Sequence, residues 1–264
     1  MAKGKAKVNY LGRSGVVMPQ TVPSWDFIYE ASLVKSEKYD IGDRVVLPDG
    51  REFYYGKSSA ECASGQACEY VATGVQSVGV VLNSQAIGDK VLTLTGGTHD
   101  AIAKDELRGG FCVTWPAAKK DQFRGIIGND ASAEDADIKI YLDGKLTVAV
   151  VAATTAVEAY QNPFASLRTG SDASLAKAGA PAVYVSAASM YFWVQTGGFS
   201  FVAPQSTVIG NEGVGCMYRH DGSLEAVQTV IAGGATTPAN DSTQYAGHRV
   251  IGSYSGNGPL FLLK

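Results

Sequence analysis

The stretch Ile138-Lys139-Ile140-Tyr141-Leu142-Asp143-Gly144-Lys145-Leu146-Thr147-Val148-Ala149-Val150 decides how the rest of the chain is read. Two β-prone runs flank an Asp-Gly pair, which accepts the positive φ angles of a type I′ turn whose twist matches that of paired strands. A hairpin turning at Asp143-Gly144 is expected. Two other stretches have the same form. In one, Arg44–Leu47 is followed by Pro48-Asp49-Gly50 and Arg51–Tyr55, with proline presetting the turn. In the other, Cys216–His220 is followed by Asp221-Gly222 and Ser223–Val227. Three separate hairpins imply antiparallel sheet rather than a wound α/β fold.

Outward from these, short β-prone runs recur at residues 78–83, 90–95, 110–115, 123–127, 182–186, 191–196, 248–254 and 259–263, separated by Gly, Asn, Asp or Pro. Such spacing is the pattern of sandwiches and barrels. Composition agrees: 27 valines against 15 leucines, with 13 Tyr and 31 Gly, suit pleated strands and tight turns. Helix is expected only as short pieces at 154–161, stopped by Pro163, and at 171–178, capped by Ser171 and closed by Gly179. Residues 25–38 have mixed periodicity and stay undecided. The expected fold is all-β with minor helix, as antiparallel sandwich-like or barrel-like modules. A weak internal echo, Gly42-Asp43-Arg44-Val45 against Gly88-Asp89-Lys90-Val91, suggests two related modules. The expected division is an extended N-terminal arm (1–38), a first module (39–155) and a second (156–264) containing a short helical connector at 156–180.

The 264 residues carry a net charge of −3, with 45% hydrophobic and 18% charged residues. That excludes general disorder, and it lacks the basic excess of a nucleic-acid binder. No apolar run reaches membrane-spanning length, and no apolar segment follows the charges of residues 1–7, so neither a membrane partner nor a secretory signal is expected. Cys62, Cys68, Cys112 and Cys216 have no metal-type spacing and read as buried thiols of a reducing compartment, with a Cys62–Cys68 disulfide as the alternative. Gly252-Ser253-Tyr254-Ser255-Gly256 has tyrosine where a nucleophile elbow needs serine, and phosphate loops are absent. In His99-Asp100 and His220-Asp221 the neighbours point to opposite faces of a strand, so turn chemistry is the expected role. No catalytic, cofactor or metal set emerges. A β-fold hydrolase stays open only because paired carboxylates leave no fixed spacing. The clusters Phe53-Tyr54-Tyr55 and Tyr191-Phe192-Trp193 read as core or interface packing, with sugar platforms or nucleic-acid stacking surfaces as alternatives.

Tyr39-Asp40-Ile41-Gly42-Asp43-Arg44-Val45 followed by Asp49-Gly50-Arg51-Glu52-Phe53-Tyr54-Tyr55-Gly56-Lys57 resembles the opening of a family of tailed-bacteriophage capsid decoration proteins. Tyr191-Phe192-Trp193-Val194-Gln195-Thr196-Gly197-Gly198 is similar to a segment in that family's second half, with Phe192 and Gly197 departing from the usual Gly and Trp. The downstream phrases match at Val208–Asn211, Asp221-Gly222 and Arg249–Gly252. The resemblance implies a structural virion protein, not an enzyme, assembled in the host cytoplasm. It would bind the major capsid protein on the capsid's outer surface as a homotrimer. A phage tail or receptor-binding protein whose aromatics contact glycans is the alternative. Residues 1–25 hold Lys3, Lys5, Lys7 and Arg13 with no acid, which suggests an attachment arm. Candidate contacts to the capsid or between subunits are these four with Trp25, Phe53, Tyr54, Tyr191, Trp193 and Phe201.

Overall fold

The computed structural model describes residues 6–10, 13–17, 23–71, 74–97, 99–116, 120–170, 172, 175–203, 215–226, 244–251 and 260–263. Strand accounts for 42% and helix for 4%, and every pairing between described strands is antiparallel. The all-β expectation holds. Along the chain run β1 (Ala6–Tyr10), β2 (Arg13–Val17), the single-turn α1 (Trp25–Ile28), β3 (Arg44–Val46), β4 (Glu52–Lys57) and β5 (Cys68–Tyr70). Then come β6 (Gly74–Val80), β7 (Val91–Leu94), β8 (Phe111–Trp115), β9 (Gln122–Asn129), β10 (Ile138–Leu142) and β11 (Ala156–Tyr160). The last group is β12 (Leu167–Arg168), β13 (Lys177–Pro181), β14 (Tyr191–Ser200), β15 (Gly215–Tyr218), β16 (Leu224–Ala226), β17 (Tyr245–Ile251) and β18 (Leu260–Leu263). Within the expected N-terminal arm, β1 and β2 fold back on each other from Ala6↔Val17 to Tyr10↔Arg13, and residues 1–5, 11–12 and 18–22 lie outside the described residues.

The chain forms two compact units, and they are nested: residues 71–165 sit between residues 1–70 and 166–264. The sequence reading placed the units in series, with a division at 155/156. The inserted unit is a six-stranded sheet in the order β6-β11-β8-β9-β10-β7. Leu82 N–H donates to the Thr93 carbonyl (2.7 Å) and Thr95 N–H to that of Val80 (3.0 Å), so the sheet curls until its outer strands meet. Its inside is apolar, with Leu92, Leu94, Ile138, Ile140, Leu142 and Val157 fully buried. In the enclosing unit β14 is the spine. It pairs with β13 and β4 along its first half and with β18 along its second.

Two of the three expected hairpins form. At Leu47-Pro48-Asp49-Gly50 and Arg219-His220-Asp221-Gly222 the fourth residue donates to the carbonyl of the first (2.9 and 3.0 Å), with Gly50 and Gly222 at φ +86° and +82°. This is the three-residue loop closed by a left-handed glycine. The third does not form. Gly144 has no positive φ, and β10 pairs with β7 and β9 instead of with residues 145–150. That second run crosses to residues 85–89, through Leu146 N–H to Asp89 O (2.8 Å) and the Gln85↔Val150 bridge. The buried Gln122 holds it there, its Oε1 accepting from the N–H groups of Thr147 (2.7 Å) and Val148 (3.1 Å).

Other corrections concern helix and strand limits. Residues 156–160 are strand β11, with burial alternating at Val157 and Ala159 and neighbours on both sides, so tertiary pairing overrides the helix propensity of Ala and Glu. Lys177 and Ala178, assigned to a short helix, begin β13, and residues 182–186 form no named strand but contribute the Ala182 N–H to Trp193 O bond (2.9 Å) and the bridge Cys62↔Val185. The undecided stretch 25–38 makes one helical turn and the Ser32↔Tyr191 bridge.

The internal echo has a local structural basis. Asp40-Ile41-Gly42-Asp43 and Ala86-Ile87-Gly88-Asp89 are the same turn. In each the fourth residue's N–H donates to the first carbonyl, its carboxylate accepts from the first N–H (2.8 and 2.9 Å), and the glycine has positive φ. Three isolated bridges, Cys62↔Val185, Gln85↔Val150 and Ile102↔Ser132, are nested in sequence, each with two reciprocal hydrogen bonds. Cys62, Gln85, Ile102, Ser132 and Val150 each lead into a turn in which the residue three positions on (Gly65, Gly88, Asp105, Asp135, Ala153) has positive φ. A type II turn requires that conformation, which Gly adopts freely and Asp tolerates.

Candidate interaction surface

The two phrases that carry the family resemblance, ending at Lys57 and resuming at Tyr191, form one ladder. β4 and β14 pair from Tyr191↔Lys57 through Trp193↔Tyr55 and Gln195↔Phe53 to Gly197↔Glu52. Gly198 lets β14 pass the Pro48-Asp49-Gly50 turn: its φ is +79°, and a Cβ there would sit 2.6 Å from the Gly50 carbonyl oxygen.

Directly opposed residues of an antiparallel pair share a face. On one face of this ladder Tyr55 and Trp193 (5.1 Å between ring centroids) pack with Tyr39 and Phe27. Phe53 and Trp193 are fully buried in this cluster, so both expected contact residues belong to the chain's own core. Tyr54 and Tyr191 are half-buried, Lys57 lying over the Tyr191 ring at 5.8 Å. Burial pushes the Tyr55 hydroxyl up, although it accepts a hydrogen bond from Ser36 N–H (3.1 Å).

What reaches the surface is organised by Arg51. Ser24 caps α1 by accepting from Phe27 N–H (3.3 Å), which sets out Trp25 and Tyr29. The Arg51 guanidinium lies 4.9 Å from the Trp25 ring centroid and 5.8 Å from that of Phe53. It also donates to Tyr29 Oη (2.6 Å) and Asp49 Oδ2 (2.8 Å). The Arg51 N–H and then its guanidinium hold the Asp49 carboxyl below its ordinary range, against the opposing effect of burial. Trp25 and Tyr29 stay 51% and 46% exposed on this fixed support. Trp, Tyr and Arg held rigid and half-exposed are the residue types that dominate binding interfaces.

Phe201 is exposed, its ring against Gly65. Lys7 and Arg13 occupy β1 and β2, while Lys3 and Lys5 lie outside the described residues. Sequence reasoning missed Tyr29 and Arg51. It also missed the outer face of the inserted unit, where Phe123 (60% exposed), Ile127 and Trp115 stand out and Phe111 stacks on Phe123 at 5.1 Å. The signal was present in Phe111-Cys112-Val113-Thr114-Trp115, where the positions that alternate with the buried Cys112 and Thr114 are apolar as well.

The remaining chemistry is internal. All four cysteines are free and buried, and burial pushes the Cys68 thiol well up beside that of Cys62. Lys177 Nζ and Glu69 Oε2 pair at 2.9 Å with both side chains fully buried. Arg168 takes Oε1 at 2.8 Å, and Lys177 also donates to the His220 carbonyl (2.6 Å). Asp221 accepts from Ser223 N–H and Oγ, and His99 meets the Asp100 carbonyl rather than its carboxylate, so both His-Asp dipeptides serve turns. Among the described residues no three His, Cys, Asp or Glu side chains converge as a metal site, and no helix is long and apolar enough to cross a membrane. No protein-family model, no curated protein and no solved structure matches the chain.

Proposed function

We propose that this chain is a structural virion protein that decorates a tailed-phage capsid and stabilises it by binding the lattice of the major capsid protein as a homotrimer. The supporting observation is the β4–β14 ladder. The two phrases that resemble the decoration family pair with each other, and the β3–β4 hairpin within the first carries Arg51, which fixes the exposed Trp25 and Tyr29. A repeated lattice needs only modest affinity at each site, because multivalent attachment multiplies it. Co-sedimentation with capsids of the phage whose genome encodes the chain tests this. Trp25→Ala should weaken attachment by about thirtyfold, the effect of a hot-spot loss of ~2 kcal/mol, with the melting temperature unchanged. Capsids that fail to bind the unaltered chain would refute the reading.

The outward aromatic face at Phe111, Trp115 and Phe123 favours a second reading, a tail or receptor-binding component that contacts glycans. Binding to host glycans without binding to capsids would select it.

A further inference from the structure

The β1–β2 ribbon is a sheet of two strands. Five register pairs join it, and among the described residues neither strand pairs with a third. Isolated two-stranded ribbons are marginal in water and gain stability when another surface covers them. Each strand also keeps an outer edge of backbone donors and acceptors. Charge says what kind of surface that is. Residues 1–25 carry four cations and no acid, so a whole-chain charge of −3 leaves −7 on residues 26–264.

The acid is concentrated. Residues 99–108 and 130–137 hold seven carboxylates against Lys104, Arg108 and His99, with Lys139 3.7 Å from Asp130, so the surface stays net acidic. These two segments form one rigid surface, tied by the Ile102↔Ser132 bridge and by His99, whose N–H donates to Asp135 Oδ1 (3.1 Å). Asp100 and Glu134 are exposed there.

We propose that the ribbon of one molecule docks on the acidic 99–108/130–137 surface of a second copy, so that the chain associates with itself head to tail. Ribbon and acceptor are different patches, so the contact is heterologous and closes into a ring where the rotation between copies allows it. Only the copy number of three rests on the decoration reading. The self-association does not.

Sedimentation equilibrium of the purified full-length chain, without capsids, tests this through charge exchange. The unaltered chain should associate at low salt and dissociate as salt screens the contact. Lys7→Glu with Arg13→Glu, and separately Asp100→Lys with Glu134→Lys, should each weaken association by about tenfold or more, since like charges then face each other. Mixing the two reversed variants makes both contacts between unlike molecules complementary, native arm on native patch and reversed arm on reversed patch, and should return a mixed complex. Circular dichroism of each variant checks that the sheets remain. A monomeric unaltered chain, reversed variants that associate normally, or a mixture that stays monomeric would each overturn the proposal. Self-association with no capsid binding would refute the decoration reading and leave this one standing.

Discussion

His99 is buried with both ring nitrogens on backbone carbonyls, Nδ1 at 2.6 Å from Asp100 O and Nε2 at 2.8 Å from Ala136 O. Two acceptors demand two N–H donors, so the geometry selects the imidazolium. Burial opposes that charge, but the two carbonyls and then the Asp135 and Asp100 carboxylates outweigh it and raise the pKa above 6.5. A raised folded-state pKa gives stability that is fully present below the unfolded value and fades as pH climbs through the folded one. Melting temperature should therefore fall as pH rises from about 6 to 8, the span in which imidazoles titrate, and His99→Gln should flatten that dependence. An unaltered slope in the variant would rule this out. Lys177 makes a second residue-scale case. Lys177→Met leaves Glu69 buried with only Arg168 as partner, and should cost about 3–5 kcal/mol in chemical denaturation. Replacing both as Glu69→Leu/Lys177→Met should recover much of that loss.

At the scale of elements, turn glycines separate the real hairpins from the apparent one. Gly222 has φ +82° and no room, a Cβ there lying 2.4 Å from the Ala67 carbonyl oxygen, whereas Gly50 at φ +86° has open space. Gly50→Ala should cost about 1–2 kcal/mol, the left-handed penalty alone, and Gly222→Ala clearly more. Gly144→Ala should be nearly neutral, because its Cβ meets only the flexible Arg124 side chain at 3.3 Å. Equal losses at Gly50 and Gly144 would contradict this. The two legible hairpins are those whose partner strands are also neighbours in sequence. Asp143-Gly144 has the same dipeptide, but β10 is claimed on both sides by strands from elsewhere in the chain, and Asp143 N–H is spent on the Gly125 carbonyl (2.9 Å). Strand β11 was hidden for the same reason, since Ala-Val-Glu-Ala-Tyr alternates correctly but propensity favours helix. The candidate surface was half legible. Aromatic clusters mark packing, but whether Trp193 faces the core or the outside depends on Tyr39 and Phe27, which no spacing rule connects to it.

At the scale of the molecule, the nested arrangement follows from one pairing. β5 and β12 flank the inserted unit in sequence, and they are hydrogen-bonded neighbours with Tyr70↔Leu167 opposite each other. The ends left by removing residues 71–165 are thus already a ladder step apart, about 5 Å. Replacing that segment with a short Gly-Ser linker should leave the enclosing unit folded with its near-ultraviolet aromatic signal from Trp193 intact. Collapse of that signal would show the units to be interdependent.

That strand pair also makes the location a socket. A chain that leaves and returns through two adjacent, mutually clamped strands imposes almost no closure cost on whatever is threaded between them, since loop entropy grows only slowly with length. Related chains could then gain, lose or exchange the cassette without redesigning the frame. An engineer could mount a foreign domain at Tyr70 and Leu167 and expect the frame to tolerate it.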